Sequence, residues 1–257
     1  LMDLKSIDFN LDNSVQAIMY ANLFGNTVDW DRFRIHTEFF SNQNIPIIED
    51  AAQSFGASYK GIPSGKLGDI SCLSFDPTKN LNNYGSGGMI LTDDVYQNSL
   101  FRDLRDNGKT NHHDFAGTNS KMSEADCAQM LVKTRHIDAW QARRRLIAGH
   151  WVERLSRKEG ITCLIDDSNR DDHCFHKFVI EVDNRDAVAK NLSLRGVETK
   201  VHYATPMHEL PAYQHYVGPD LLSVASSLAR RCLSLPIYPE LTDTEVEYII
   251  DALLDSV

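Results

Sequence analysis

Ile45-Pro46-Ile47-Ile48-Glu49-Asp50-Ala51-Ala52-Gln53-Ser54 is an apolar run that stops abruptly on two acids. Such a run reads as a buried strand that delivers a carboxylate at its carboxyl end, where two alanines leave room for a ligand. The plainer reading of Asp50 is a cap on a following helix. Working outward, Ser71-Cys72-Leu73-Ser74-Phe75 and Met89-Ile90-Leu91-Thr92 read as two further strands. Between them lie the turn-rich segments Asp76-Pro77-Thr78-Lys79-Asn80 and Asn82-Asn83-Tyr84-Gly85-Ser86-Gly87-Gly88. Buried strands joined in this way indicate an open α/β sheet, which holds its ligands at the carboxyl ends of its strands.

Further along, Ser123 to Leu155 reads as one long helix, with Ser123 and Asp126 as a capping pair. Ile137, Trp140, Ile147, Trp151 and Leu155 form its apolar stripe, and Gly160 stops it. Arg143-Arg144-Arg145 reads as a solvated basic face. Beyond Gly160 the pattern changes to a strand over Phe178–Val182 and a helix over Asp186–Leu194. Thr242-Asp243-Thr244-Glu245 then opens a last helix with a capping box, and Val246, Ile249, Ile250, Leu253 and Leu254 form its buried side. These features place a large domain over residues 1–155 and a small one over 156–257.

The composition narrows the function. The 257 residues carry 26 Lys and Arg against 36 Asp and Glu, a formal charge of −10. That balance argues against nucleic acid and anionic membrane surfaces as partners. No apolar run approaches the ~20 residues needed to cross a bilayer. Five cysteines without a C-x-x-C pair disfavour a disulfide framework and a zinc knuckle. No basic-then-apolar leader opens the sequence, so it reads as cytoplasmic. The start at Leu1-Met2-Asp3-Leu4 reads as the middle of a fold and suggests a fragment boundary.

Several residues could carry chemistry. Ser74 and Thr78 offer hydroxyls and Lys79 an amine beside a turn, although a loop lysine is ordinarily a solvated charge. Gly85–Gly88 is a glycine-rich turn, but neither G-x-G-x-x-G nor G-x-x-x-x-G-K-[ST] occurs. His173-Cys174-Phe175-His176 offers metal-binding side chains, yet strand alternation would split them between two faces and no fourth ligand is evident, so no metal is expected. His112-His113 lies in a polar loop and reads as substrate-facing.

The order and spacing of Glu49–Gln53, Gly65-Lys66-Leu67-Gly68-Asp69, Ser74–Asn80 and Gly85–Gly88 resemble the DegT/DnrJ/EryC1/StrS family of sugar aminotransferases. The likeness continues through Gly117–Met122, Val201-His202-Tyr203 and Leu233–Pro236. It implies an aspartate-aminotransferase-type α/β fold (fold type I), with a large mixed-sheet domain and a small α+β carboxy-terminal domain. It also implies pyridoxal 5'-phosphate as cofactor, with pyridoxamine phosphate as intermediate. By the same resemblance Lys79 joins the cofactor aldehyde and moves the substrate proton, and Asp50 keeps the pyridine nitrogen protonated. Gln53 bonds the cofactor's phenolic oxygen. Ser74 holds the phosphate, with Asn119 reaching it from the neighbouring subunit of a homodimer. His202 and Tyr203 match a substrate segment, where a structural role is an equal alternative. The implied reaction moves an amino group from glutamate to a keto carbon of a nucleotide-linked deoxysugar, in aminosugar biosynthesis for O-antigen, surface glycan or antibiotic. The rival readings are a sugar dehydratase on the same scaffold and a non-catalytic, cofactor-binding regulatory protein. Lys79, rather than the histidine of the family's dehydratases, favours amino transfer. Family members ordinarily have a long stretch before Leu1, including a Gly-Thr turn at the cofactor phosphate.

Overall fold

The computed structural model describes residues 1–5, 7, 14–40, 45–109, 113–165, 171–215 and 222–257. They fall into two compact units, Leu1–Gln141 with Asp171–His176, and Ala142–Arg170 with Lys177–Val257. The division falls inside a helix, whereas the sequence suggested a boundary at that helix's end.

The first unit is built on a four-stranded sheet. Strand β1 (Ile18–Ala21) leads through helix α1 (Trp30–Phe40) to β2 (Ile47–Asp50). A short hairpin, β3 (Ser58–Tyr59) and β4 (Ile62–Pro63), precedes β5 (Ile70–Ser74) and β6 (Gly88–Leu91). The order is β1-β2-β5-β6, with β1, β2 and β5 parallel and β6 antiparallel to β5. Side chains alternate across the pleat. Ile18, Tyr20, Ile47, Glu49, Ser71 and Leu73 are buried on one face, while Met19, Ile48, Asp50, Cys72, Ser74 and Ile90 are exposed or half-buried on the other. On the covered face, Val28 and Phe33 pack with Ile18, Tyr20 and Ile47, and Phe75, Leu81 and Met130 pack with Ala51 and Leu73.

Helices α2 (Val95–Arg105) and α3 (Glu124–Thr134) follow. Ser123 caps α3 by accepting from the Asp126 N–H at 3.1 Å. The single helix expected over Ser123–Leu155 is two helices, since α4 (Ile137–Leu155) starts afresh. Arg135 and His136 turn tightly between them, their N–H groups bonding back three residues to Val132 and Lys133. No glycine or proline marks that break in the sequence.

The second unit joins the later part of α4 to an antiparallel sheet in the order β7 (Ile161–Cys163), β8 (Phe178–Val182), β9 (Cys232–Leu235). Helices α5 (Arg185–Leu194), α6 (Ser223–Arg231) and α7 (Asp243–Leu254) complete it. Trp151 and Phe178 meet edge to face at 5.1 Å, and Trp151 Nε1 donates to the Val246 carbonyl. The capping box of Thr242 and Glu245 forms, with Val246, Ile249, Ile250 and Leu253 buried and Leu254 half-buried. The arginine run is not a solvated face. Arg143 donates to the Leu241 carbonyl and pairs with Asp243, and Arg144 donates to the Ile237 carbonyl. Both carbonyls lie far along the chain from the arginines, so a pattern of local charges does not disclose them.

Candidate functional site

Glu49 and Asp50 are sequence neighbours with opposite surroundings, because successive strand residues face opposite ways. Glu49 is fully buried. Its Oε1 accepts from Asn22 Nδ2 (2.8 Å), Ser64 Oγ (2.7 Å) and Gly65 N (2.9 Å). Its Oε2 accepts from Leu67 N (3.1 Å), Gly68 N (3.4 Å) and Ser71 Oγ (2.8 Å). Gly68 is obligatory here, as a Cβ would lie 2.9 Å from Glu49 N and from the Ile70 carbonyl. Asp69 completes the arrangement by accepting from Ile47 N at 2.7 Å. The Gly65–Asp69 segment therefore serves Glu49 and β2.

A buried donor left without an acceptor costs about 1–3 kcal/mol. Glu49→Gln would turn an NH₂ toward several such donors, so a loss of about 2–4 kcal/mol is expected. Urea unfolding of the intact protein measures it, and an unchanged midpoint would show that the donors find other partners.

Asp50 lies on the other face, half-buried at the carboxyl end of β2. It caps no helix, since none spans residues 51–57. Its Oδ1 accepts from Ala52 N at 3.0 Å in a local turn. Cys72 lies opposite it in register, its thiol pKa pushed up first by burial and then by the Asp50 charge. Ser74 follows on the same face, ending β5 opposite Gly88. Asp50 and Ser74 thus sit at one edge of the sheet, where parallel strands end and ligands of open α/β sheets bind.

Lys79 is half-buried on the turn after β5, which is closed by Lys79 N to the Asp76 carbonyl (2.9 Å) and Asn83 N to the Phe75 carbonyl (2.8 Å). Among the described residues Lys79 Nζ forms no salt bridge. Asp76 is held below the usual carboxylate range, chiefly by hydrogen bonds from Thr78 and then by Lys79 and His176 nearby. Gln53 follows β2, and its side-chain oxygen accepts from Phe24 N at 2.9 Å, which ties it to the turn after β1.

Asn119 is exposed on a separate loop. Thr118 N and Ser120 N bond to the Leu104 and Arg105 carbonyls, and Asn119 bridges to Asp106, so the loop is held to the end of α2. No hydrogen bond among the described residues joins Asn119 to Asp50, Ser74 or Lys79. His112 lies outside the described residues. His202 and Tyr203 belong to the second unit. His202 Nδ1 is 2.8 Å from Ser234 Oγ, and burial, followed by Lys177 and Lys200, pushes its pKa down to about 4. Tyr203 is about half exposed.

The His173–His176 segment is not a strand. Phe175 takes a left-handed φ of 46° and all four side chains are buried. Among the described residues no group of three or more His, Cys, Asp and Glu is placed to hold a metal, and no helix is long and apolar enough to cross a membrane. A cavity of about 360 Å³ lined by Pro46, Gly68, Asp69, Asp93, Asp94 and Gln97 opens at the opposite, amino-terminal edge of the parallel strands, away from Asp50 and Ser74.

Sequence reading missed Glu49's role, although the spacing of Gly65, Gly68 and Asp69 carried its signal. It also missed Asn80 and Gln141, whose buried contacts join residues far apart in the chain.

The profile of the DegT/DnrJ/EryC1/StrS aminotransferase family matches residues 1–254. The chain is 36% identical over 240 residues to the erythromycin biosynthesis sensory transduction protein EryC1 of Saccharopolyspora erythraea, covering 92% of this chain and 64% of that protein. It is 34% identical over 241 residues to the dTDP-3-amino-3,4,6-trideoxy-alpha-D-glucose transaminase of Streptomyces venezuelae, covering 93% of this chain and 62% of that one. The chain therefore spans less than two thirds of the length of these relatives. The crystal structure of S. venezuelae DesV in complex with a ketimine intermediate superposes with a TM-score of 0.92 at 32% identity, covering 99% of this chain and 68% of that one.

Proposed function

Because this chain belongs to the DegT/DnrJ/EryC1/StrS aminotransferase family, we propose that the protein moves an amino group from glutamate to a keto carbon of a nucleotide-linked deoxysugar, with pyridoxal 5'-phosphate as cofactor. The observation that carries this reading is the sharing of one sheet face and edge by Asp50 and Ser74, with Lys79 on the turn that follows and without an ion pair among the described residues. These donors fit the cofactor's chemistry: a carboxylate for a protonated ring nitrogen, an amine for an aldehyde, a hydroxyl for a phosphate. The names of the S. venezuelae transaminase and of the UDP-N-acetyl-3-dehydro-alpha-D-glucosamine 3-aminotransferase of Acidithiobacillus ferrooxidans support a nucleotide-sugar substrate.

When bound, the cofactor supplies an electron sink for the bond that breaks next to the amino nitrogen. The chain supplies the rest. Asp50 would hold negative charge against the ring nitrogen and keep its proton in place. Lys79 Nζ would carry a proton between donor carbon and cofactor, and Ser74 Oγ would anchor the phosphate. Gln53 would orient the ring through its carboxamide. His112, His202 and Tyr203 are assigned to the sugar nucleotide's side. The reading places the enzyme in the cytoplasm.

Glutamate added to the cofactor-loaded intact protein should release 2-oxoglutarate and convert the cofactor to its pyridoxamine form. A panel of nucleotide keto sugars should then restore the starting spectrum. Loss of water from the sugar without amine transfer would favour the dehydratase. Cofactor binding with no 2-oxoglutarate would favour the regulatory reading, which the sensory name of EryC1 keeps in view.

The reading includes a homodimer in which Asn119 serves the partner's phosphate site. The exposure of Asn119 on a loop fixed by backbone bonds supports this. Mixing Lys79→Ala with Asn119→Ala protein should then regenerate one intact site per heterodimer. Verified heterodimers without recovered activity would assign Asn119 to its own subunit or to the fold.

A further inference from the structure

Asn80, the residue after Lys79, is buried and commits both amide protons. Asn80 Nδ2 donates to the Cys174 carbonyl at 2.8 Å and to Gln141 Oε1 at 3.3 Å. Gln141 Nε2 donates to the same carbonyl at 2.7 Å. Asn80, Gln141 and Cys174 are 9%, 3% and 0% exposed.

The Cys174 peptide is held from its other side as well. Cys174 N donates to the Gly25 carbonyl at 2.8 Å, and Cys174 Sγ lies 3.4 Å from the Gln53 carbonyl. The approach is so close that a Cβ on Gly25, whose φ is +102°, would lie 2.6 Å from Cys174 Sγ and 2.9 Å from His176 N. Asp172 extends the contact, accepting from Ser58 N at 2.9 Å. One short segment, 172–176, is thus bonded to the turns that follow β1, β2 and β5. Those turns carry Gly25, Gln53 and Asn80.

The arrangement leaves Asn80 Oδ1 buried with no donor among the described residues. A buried acceptor without a donor is unfavourable and calls for an explanation. Local rules are commonly broken where a site demands a geometry that stability alone would not select. Here the geometry demanded is that of Lys79. Its flexible stem reaches a fixed point only if its backbone turn is fixed, and small misplacements of reacting groups are expensive in rate.

We propose that Asn80 and Gln141 are positioning residues, which clamp the Cys174 carbonyl and so set the turn bearing Lys79 against the turn bearing Gln53. The proposal rests on the reading of Lys79 as the residue that joins the cofactor aldehyde.

The test uses the intact protein loaded with pyridoxal phosphate. It follows the rate at which borohydride fixes the cofactor to Lys79, read by peptide mapping, together with the thermal midpoint of the cofactor-free protein. Asn80→Ala and Gln141→Leu should each slow fixation on the order of 10-fold at temperatures where the protein is fully folded. The double variant should be little worse than either alone, since both act on one carbonyl. Gln129→Ala removes a comparable amide contact, from Gln129 Nε2 on α3 to Asn83 Oδ1 on the loop after Lys79, and should leave fixation unchanged. Wild-type fixation rates in folded Asn80→Ala and Gln141→Leu would overturn the proposal alone. Absence of label on Lys79 in the wild type would overturn both this proposal and the reading it rests on. Should neither variant fold, hydrogen exchange of the wild type decides. Cofactor should increase protection in 172–176 together with 76–82, and unchanged protection in 172–176 would overturn the clamp.

Discussion

Lys79→Ala is expected to abolish both amino transfer and covalent capture of the cofactor, with turnover falling by more than about 10⁴. Loss of a general acid–base group alone typically costs about 10²–10⁴. On the proposed reading one side chain would serve as both nucleophile and proton carrier, so both contributions would go together. The surroundings favour Lys79 over other lysines as the reactive amine. Lys60 and Lys109 are exposed and engaged with Asp31 and Asp106, whereas Lys79 is half-buried beside the edge that bears Ser74. Borohydride reduction and peptide mapping should place the pyridoxyl group on Lys79. A label on Lys60, Lys66 or Lys109 would sink the assignment.

Asp50→Asn is the second large effect. The substitution keeps size and the acceptor that Ala52 N uses, so the strand end should stay intact and cofactor should still bind. On the proposed reading it removes the negative charge that would keep the ring nitrogen protonated. A loss on the order of 10²–10⁴ in turnover is expected if this electrostatic help matches ordinary acid–base contributions. Proton abstraction from C2-deuterated glutamate should become more clearly rate-limiting. Near-normal turnover would remove Asp50 from the mechanism.

Much of this was legible in the residues. The apolar run ending in Glu49-Asp50, the β5 and β6 strands, the cap at Ser123 and the box at Thr242 are local signals, and local signals survive folding when the tertiary structure agrees with them. The break at Arg135–His136 was not legible, because nothing in its composition opposes a helix. His173–His176 misled for a different reason. Its backbone is dictated by Gly25, Gln53, Asn80 and Gln141, and partners so remote leave no periodicity to read. The site divides in the same way. Asp50, Ser74 and Lys79 stand in short motifs whose chemistry suggests itself, while Glu49's ring of donors and the Asn80–Gln141 pair emerge only when the chain is folded.

The pleat that turns Glu49 inward and Asp50 outward has an evolutionary consequence. On the proposed reading architecture and chemistry fall to adjacent codons but to opposite faces, so selection could act on them independently. Replacement of Asp50 or Lys79 should cost little stability, since the side chain of Asp50 accepts only one local bond and that of Lys79 forms no ion pair among the described residues, whereas replacement of Glu49 should cost more. An insertion or deletion of one residue within β2 would exchange the two acids and damage both properties at once. Gene copies released from catalytic duty should therefore drift first at the outward acid and the lysine, with the inward acid and its glycine-rich ring retained longest.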